Sequence, residues 1–257
     1  MEEKSFALSH ARPPGRLGPL AIHWLMKIVS CLAFFCSAFC TALAADEDIR
    51  QRILARSKNL ADQPNYSWVS TSKSAEGTLD WRQGPTHGQT EKSGPSYVKF
   101  TLGDRTIEMA FQGDKAAIKW EDQWHGLMDL KDDLSWVADR LKTYLLAAHE
   151  ASFLASHATA LKEETEGAFS GQLDDQAIAA LLSRGRNTIT QAPNMKGTVK
   201  FWIKNDLIVK YEFNVQGQMK TAEDQPEAIL DRTTVVEINQ VGSTQVSLPE
   251  ESRRKLM

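Results

Sequence analysis

Val98-Lys99-Phe100-Thr101-Leu102-Gly103-Asp104-Arg105-Thr106-Ile107-Glu108-Met109-Ala110-Phe111-Gln112-Gly113-Asp114-Lys115-Ala116-Ala117-Ile118-Lys119-Trp120 is the run that decides the fold. Apolar residues take every second place in three successive segments: Val98, Phe100 and Leu102, then Ile107, Met109 and Phe111, then Ala116, Ile118 and Trp120. That period of two belongs to strands with one buried and one wet face. Gly103-Asp104 and Gly113-Asp114 separate the segments with the chemistry that tight hairpin turns favour. The run reads as a three-strand antiparallel meander.

The same pattern extends on both sides. Before the meander, Tyr66–Thr71 and Thr78–Arg82 read as strands carrying Trp68 and Trp81, and residues 83–95, rich in Gly, Pro and Thr, read as a loop. Further along, Thr198–Lys204 and Leu207–Val215 flank Asn205-Asp206 as a hairpin, with Leu207, Val209, Tyr211 and Phe213 on one face. Thr233–Gln240 and Thr244–Leu248 form a last expected pair, joined through Gly242.

Two helical segments interrupt the strands. The first follows the capping pair Asp132-Asp133 and carries a stripe of Leu134, Val137, Leu141, Leu145 and Ala148, with room to continue through a bend to His157. The second runs from its cap Asp174 through Leu182 to a stop at Gly185. An antiparallel sheet with one apolar face needs a cover, and helices this short need a sheet. The expected fold is therefore α+β: a curled antiparallel sheet, an incomplete β-barrel of eight or nine strands, covered on its concave face by two or three helices.

The first 44 residues read as a cleavable secretory signal peptide. Lys27 supplies the charge, residues 28–39 the apolar run and Ala42-Leu43-Ala44 the small-x-small cleavage step. Residues 1–25 add nothing to that design, and Met26 is the expected translation start. The apolar run is short for a spanning helix. The expected product is a single domain, 45–257, exported to the periplasm or, as the alternative, to the extracellular space, with no membrane span. Cys31, Cys36 and Cys40 all lie in the leader, so the mature chain has no thiol chemistry. It carries 26 basic against 31 acidic residues, both signs interspersed, which leaves no electrostatic footprint for nucleic acid.

No catalytic motif is present. GxSxG, HExxH, phosphate-loop and dinucleotide fingerprints are all missing. His149 and His157 are eight residues apart, about 12 Å along a helix, too far to share a metal. His125, near Glu121 and Asp122, reads as a solvated loop histidine. The sequence therefore suggests no enzyme, no metal and no cofactor; a hydrolase with spatially paired carboxylates is the weakest of three readings.

The C-terminal layout carries a resemblance. Residues 197–204 read Gly-Thr-Val-Lys-Phe-Trp-Ile-Lys and residues 207–215 Leu-Ile-Val-Lys-Tyr-Glu-Phe-Asn-Val; Thr233-Thr-Val-Val-Glu-Ile-Asn and Val246-Ser-Leu-Pro-Glu-Glu follow. With Asn65-Tyr66-Ser67-Trp68 and Phe169-Ser170-Gly171-Gln172-Leu173, this resembles the LolA-like and LppX/LprG-like periplasmic lipoprotein-carrier superfamily. The resemblance implies helices lidding a hydrophobic cavity that holds acyl chains, with Arg82 and Arg105 equally available as a latch. The expected lining is Trp68, Trp81, Phe100, Met109, Phe111, Trp120, Trp136, Leu141, Leu145, Tyr211 and Phe213. The expected partners are lipid or lipoprotein acyl chains. The alternative is a non-catalytic envelope protein-interaction module with a packed interior, for which an exposed apolar patch at Trp202 or Trp124 would be the mark.

Overall fold

Two-residue turns build most of the sheet in the computed structural model, which describes residues 46–76, 78, 84–103, 105–130, 135–183, 194–219 and 228–257. The meander is β3 (Ser96–Leu102), β4 (Arg105–Gln112) and β5 (Lys115–Trp120), in the register the alternation requires: Val98 opposite Met109, and Met109 opposite Ile118. A fourth arm, β6 (Gln123–Gly126), extends it through Glu121-Asp122, both at positive φ (50° and 62°). Asn205-Asp206 repeats that geometry, also at 50° and 62°, between β9 (Lys196–Lys204) and β10 (Leu207–Met219). Such left-handed pairs match the natural twist of a hairpin.

Among the described residues eleven strands form one antiparallel sheet, more than the eight or nine expected. The others are β1 (Asn65–Ser74), β2 (Thr86–Glu91), β7 (Ala158–Thr165), β8 (Ala168–Leu173) and β11 (Ala228–Asn239). Two meanders, β1–β6 and β7–β11, join where β1 pairs with β11. The sheet does not close; β6 and β7 are its edges.

β2 overturns the expected loop at 83–95. Its inward positions are Thr86, Gly88 and Thr90, too polar and small to announce a strand. Trp68 explains them. It sits opposite Gly88, and a Cβ there would overlap the indole ring. The tryptophan thus fills the space that the glycine leaves. Gly88→Ala is expected to lower stability by about 1–3 kcal/mol, as overpacking does; urea unfolding monitored by circular dichroism measures it.

The helical content also exceeds expectation. Helix α1 spans residues 46–61 and had no counterpart in the sequence reading. Its inward stripe is Ile49, Ile53, Ser57 and Leu60, and the Ser57 hydroxyl donates to the Ile53 carbonyl, so a polar residue occupies a core position at little cost. The single bent helix expected through His157 is two: α2 (Ser135–Lys142) and α3 (Ala147–Ser156), parted by an extended Leu146. Helix α4 (Asp175–Ser183) begins as expected, with the Asp174 carboxylate accepting from the Ala177 N–H at 2.8 Å. Asp132, Asp133, Leu134, Gly185, the leader and residues 79–82 lie outside the described residues; Thr78 is a bend.

Thr244–Leu248 is not a strand. Its amides turn to side chains, Thr244 N–H to Asn65 and Val246 N–H to Glu91, and the segment crosses the outer face of the sheet into α5 (Glu250–Leu256). There Leu248 and Leu256 pack on Ala110, Ala117 and Trp124, a small apolar cluster of its own. The main core lies on the opposite, inner face, between the sheet and helices α1–α4. In β10 a bulge after Ile208 puts that residue into the core in place of Val209, correcting the face read from sequence.

Candidate functional site

The residues expected to line a cavity meet on the inner face, and most are packed. Trp68, Met109, Leu141, Tyr211 and Phe213 are buried in the main core. Phe100, Phe111 and Trp120 are half-buried against it, and Phe111 stacks on Tyr144 with ring centroids 5.4 Å apart. Leu145 is half-buried in the break between α2 and α3. Trp136 lies on α2, and Trp81 is outside the described residues. The helices pack on the inner face.

Polar groups tether that cover. Tyr211 is fully buried (0 % exposed), and its hydroxyl donates to the Glu150 carboxylate on α3 at 2.8 Å. The Tyr66 hydroxyl accepts from the Ala148 N–H at 3.3 Å, at the first turn of the same helix. At the other side of the layer, Arg50 on α1 donates to the Ala158 carbonyl at 3.0 Å. Asp46 accepts from the N–H groups of Ala160 and Leu161, at a bulge where Ala160 has φ of 51°. Each tether is a single hydrogen bond or a pair, worth about 1 kcal/mol net apiece. Tyr211→Phe is expected to loosen α3 by about 1–2 kcal/mol, read as faster amide hydrogen exchange across residues 147–156.

Burial shifts the buried phenols. It pushes Tyr66 up to about 12, and it raises Tyr211 well above 10, assisted by the Glu150 charge. Both therefore hold their protons in the folded state at pH values where the unfolded chain gives them up. The stability they represent is complete below about pH 10 and falls as pH rises from about 10 towards 12. A series of urea midpoints between about pH 9 and 12 is expected to fall steeply over that window.

Two clefts open at the helical layer, the second between the start of α3 and the inner face of the sheet. One, about 480 Å³, lies between α1 and α3 and is lined by Leu54, Ala55, Ser57, Lys58, Ala61, Ala148, His149 and Ser152, with Gln51 at its end. Small side chains make it: Ala148 and Ser57 are each about 1 % exposed and form its floor. The other, about 190 Å³, runs from Ala61 and His149 past Gln63, Tyr66 and Leu146 to Thr90, Glu91, Lys92, Ser96, Phe111 and Gln112. None of the expected lining residues except Phe111 borders either cleft. Sequence reading missed the larger one because it missed α1, although Ile49, Ile53 and Leu60 recur at helical steps.

The clefts hold no paired acid and base. Their one carboxylate, Glu91, accepts the Val246 N–H at 3.0 Å. Outside the clefts, His157 and Asp174, 3.0 Å apart, belong to the start of α4. There burial pushes the Asp174 carboxyl up, and the Ala177 N–H and the His157 ring bring it below its ordinary range. His125 lies on β6, and no group of three His, Cys, Asp or Glu side chains suited to a metal occurs among the described residues. Trp124 is buried under α5, and Trp202 faces outward beneath the Lys210 ammonium at 4.8 Å, so neither is the bare patch an interaction module would show. Arg105 is exposed at the end of β4. No helix among the described residues is long and apolar enough to cross a membrane.

No family model matches the chain, and no curated protein matches it in sequence. Among solved structures it is similar to the Mycobacterium tuberculosis lipoprotein LppX, at 11 % identity, covering 78 % of this chain and 98 % of that one, with a TM-score of 0.45. LprF from Mycobacterium bovis follows at 10 % identity, 80 % and 98 % coverage and a TM-score of 0.42. A LolA superfamily protein from Nitrosomonas europaea aligns at 10 % identity over 77 % and 94 %, with a TM-score of 0.32. LppX and the LolA superfamily are names that the sequence resemblance also carries.

Proposed function

We propose that this chain is an exported, non-catalytic carrier or binder of a lipid or lipidated ligand, which takes acyl chains between the sheet and its helical cover. The observation that carries this reading is the inner face itself. Along β1, β3–β5, β9 and β10 it carries Tyr66, Trp68, Phe100, Met109, Phe111, Trp120, Phe201, Tyr211 and Phe213, and hydrogen bonds at Tyr66, Tyr211 and Arg50 add to the packing of the helices that cover it. Lifting α3 breaks two of them and uncovers Tyr211 and Tyr66, with Trp68 beside the latter, to a ligand. Acyl surface buried there contributes about 25 cal/mol per Å².

Residues 1–44 serve in this reading as the cleaved signal peptide and 45–257 as the carrier domain, with the periplasm as its compartment. Trp68 provides the test. Acyl chains brominated near their ends quench an indole only on contact, so loading the interior quenches tryptophan fluorescence in the wild type and quenches less in Trp68→Phe. Equal quenching in both, or none, contradicts interior loading.

A further inference from the structure

On the outer face of the sheet, strand register builds a trough. Tyr97 stands opposite Ala110, Ala110 opposite Ala117 and Ala117 opposite Gly126, so one row across β3–β6 shrinks from a phenol to a glycine. The next row on the same face carries Lys99, Glu108, Lys119 and Trp124, which makes a wall beside that floor. Helix α5 lies in the trough, so close that a Cβ on Gly126 would meet the Lys255 carbonyl oxygen at 3.3 Å. We propose that this trough is a docking site for the C-terminal segment of a second copy of this chain, and that two copies pair by exchanging residues 244–257.

The sheet holds the segment as a receptor holds a peptide. Two side chains take its backbone: Asn65 on β1 accepts the Thr244 N–H at 2.7 Å, and Glu91 on β2 accepts the Val246 N–H at 3.0 Å. Leu248 and Leu256 fill the space over Ala110 and Ala117 beside Trp124. Its far end is matched by charge, where Lys255 donates to Asp129 at 2.8 Å and Lys115 donates to the Met257 carbonyl. The same segment from another copy finds each of these partners, which is why a second copy is the occupant that fits.

The segment is also built to leave. It packs on a cluster separate from the main core, and a helix of seven residues has no stability of its own. It therefore opens locally at less cost than the domain unfolds. Residues 240–243 join it to β11, with Gln240 at φ 49° and Gly242 at φ 79°. A left-handed backbone is unfavourable for glutamine, and an extended link between two copies relieves it. Exchange loses the turn's own hydrogen bonds, Gly242 N–H to the Asn65 carbonyl and Ser243 N–H to the Gln240 carbonyl. It keeps the rest, and short strained hinges favour such swaps. The inner face takes no part, so pairing is independent of the carrier reading.

Two variants of the exported protein, each disabled in a different half of the contact, test the proposal by native mass spectrometry. Leu256→Asp leaves the trough open with a segment that no longer docks, and Gly126→Leu fills the trough while its segment stays intact. Each alone is expected to be monomeric. Mixed, they are expected to form a one-to-one complex, the intact segment of one chain entering the open trough of the other. Circular dichroism checks that both are folded. Wild-type protein gives a second measurement that needs no change in the segment. Isotope-labelled and unlabelled chains, mixed and concentrated, are expected to form dimers of intermediate mass, and Gly126→Leu is expected to abolish them. Folded variants that do not pair, a wild type that stays monomeric at every concentration, or dimers that survive Gly126→Leu overturn the proposal.

Discussion

Trp68→Ala is expected to lower the unfolding free energy by about 3–5 kcal/mol, the usual result of removing a buried indole. The indole is 3 % exposed, lies against Tyr66 with ring centroids 5.8 Å apart and covers the backbone at Gly88. Nothing nearby can collapse into its place, because the opposite position is a glycine. The variant should therefore hold an apolar void, and an engineered void of this kind stays dry and accepts small aromatic guests. Urea unfolding with and without added indole measures both effects: a large loss in the variant, and partial recovery on adding indole. A loss under about 1 kcal/mol would mean that the sheet relaxes around the gap.

The second large effect lies on the other face. Leu256→Asp places a carboxylate against Ala110, Ala117 and Trp124, where no cation faces it within the cluster. An unpaired buried charge costs several kcal/mol, more than the docking of a seven-residue helix can return. The segment 244–257 is expected to leave the sheet while the inner core stays folded. Hydrogen exchange separates the two: protection should fall in β4, β5, β6 and α5 and persist in β9–β11. Trp124 emission should shift to the red as water reaches its ring. Global loss of protection would show that the outer cluster supports the whole sheet.

What could be read from the sequence follows from where each element's partners lie. The meander from Val98 to Trp120 was legible because its neighbours in space are its neighbours in sequence, and its turns carry Gly103 and Gly113, both at φ 61°. β2 was not, because Gly88 makes sense only with Trp68 beside it. β7 was hidden by its bulges, which break the period of two, and by the charged residues that suit an edge strand. Thr244–Leu248 alternates like a strand yet finds its partners in the side chains of Asn65 and Glu91, a pairing no periodicity encodes.

The candidate site was legible in part for the same reason. Alternation put Trp68, Met109, Tyr211 and Phe213 on one face, and they share one core. Whether a face is packed or hollow depends on the cover, and the cover includes α1, whose stripe is interrupted by Ser57. The clefts therefore had no signature in the sequence. His149 drew attention there only through its spacing from His157, whereas its position at the junction of two clefts comes from the packing of α1 against α3.

Native mass spectrometry of the protein secreted into a bacterial periplasm, followed by lipid extraction, tests the carrier reading most directly. The reading predicts a population heavier than the bare chain by one acyl-bearing lipid or lipopeptide, released on denaturation. A bare mass that no added lipid changes, together with undiminished exchange protection in α3, would contradict it.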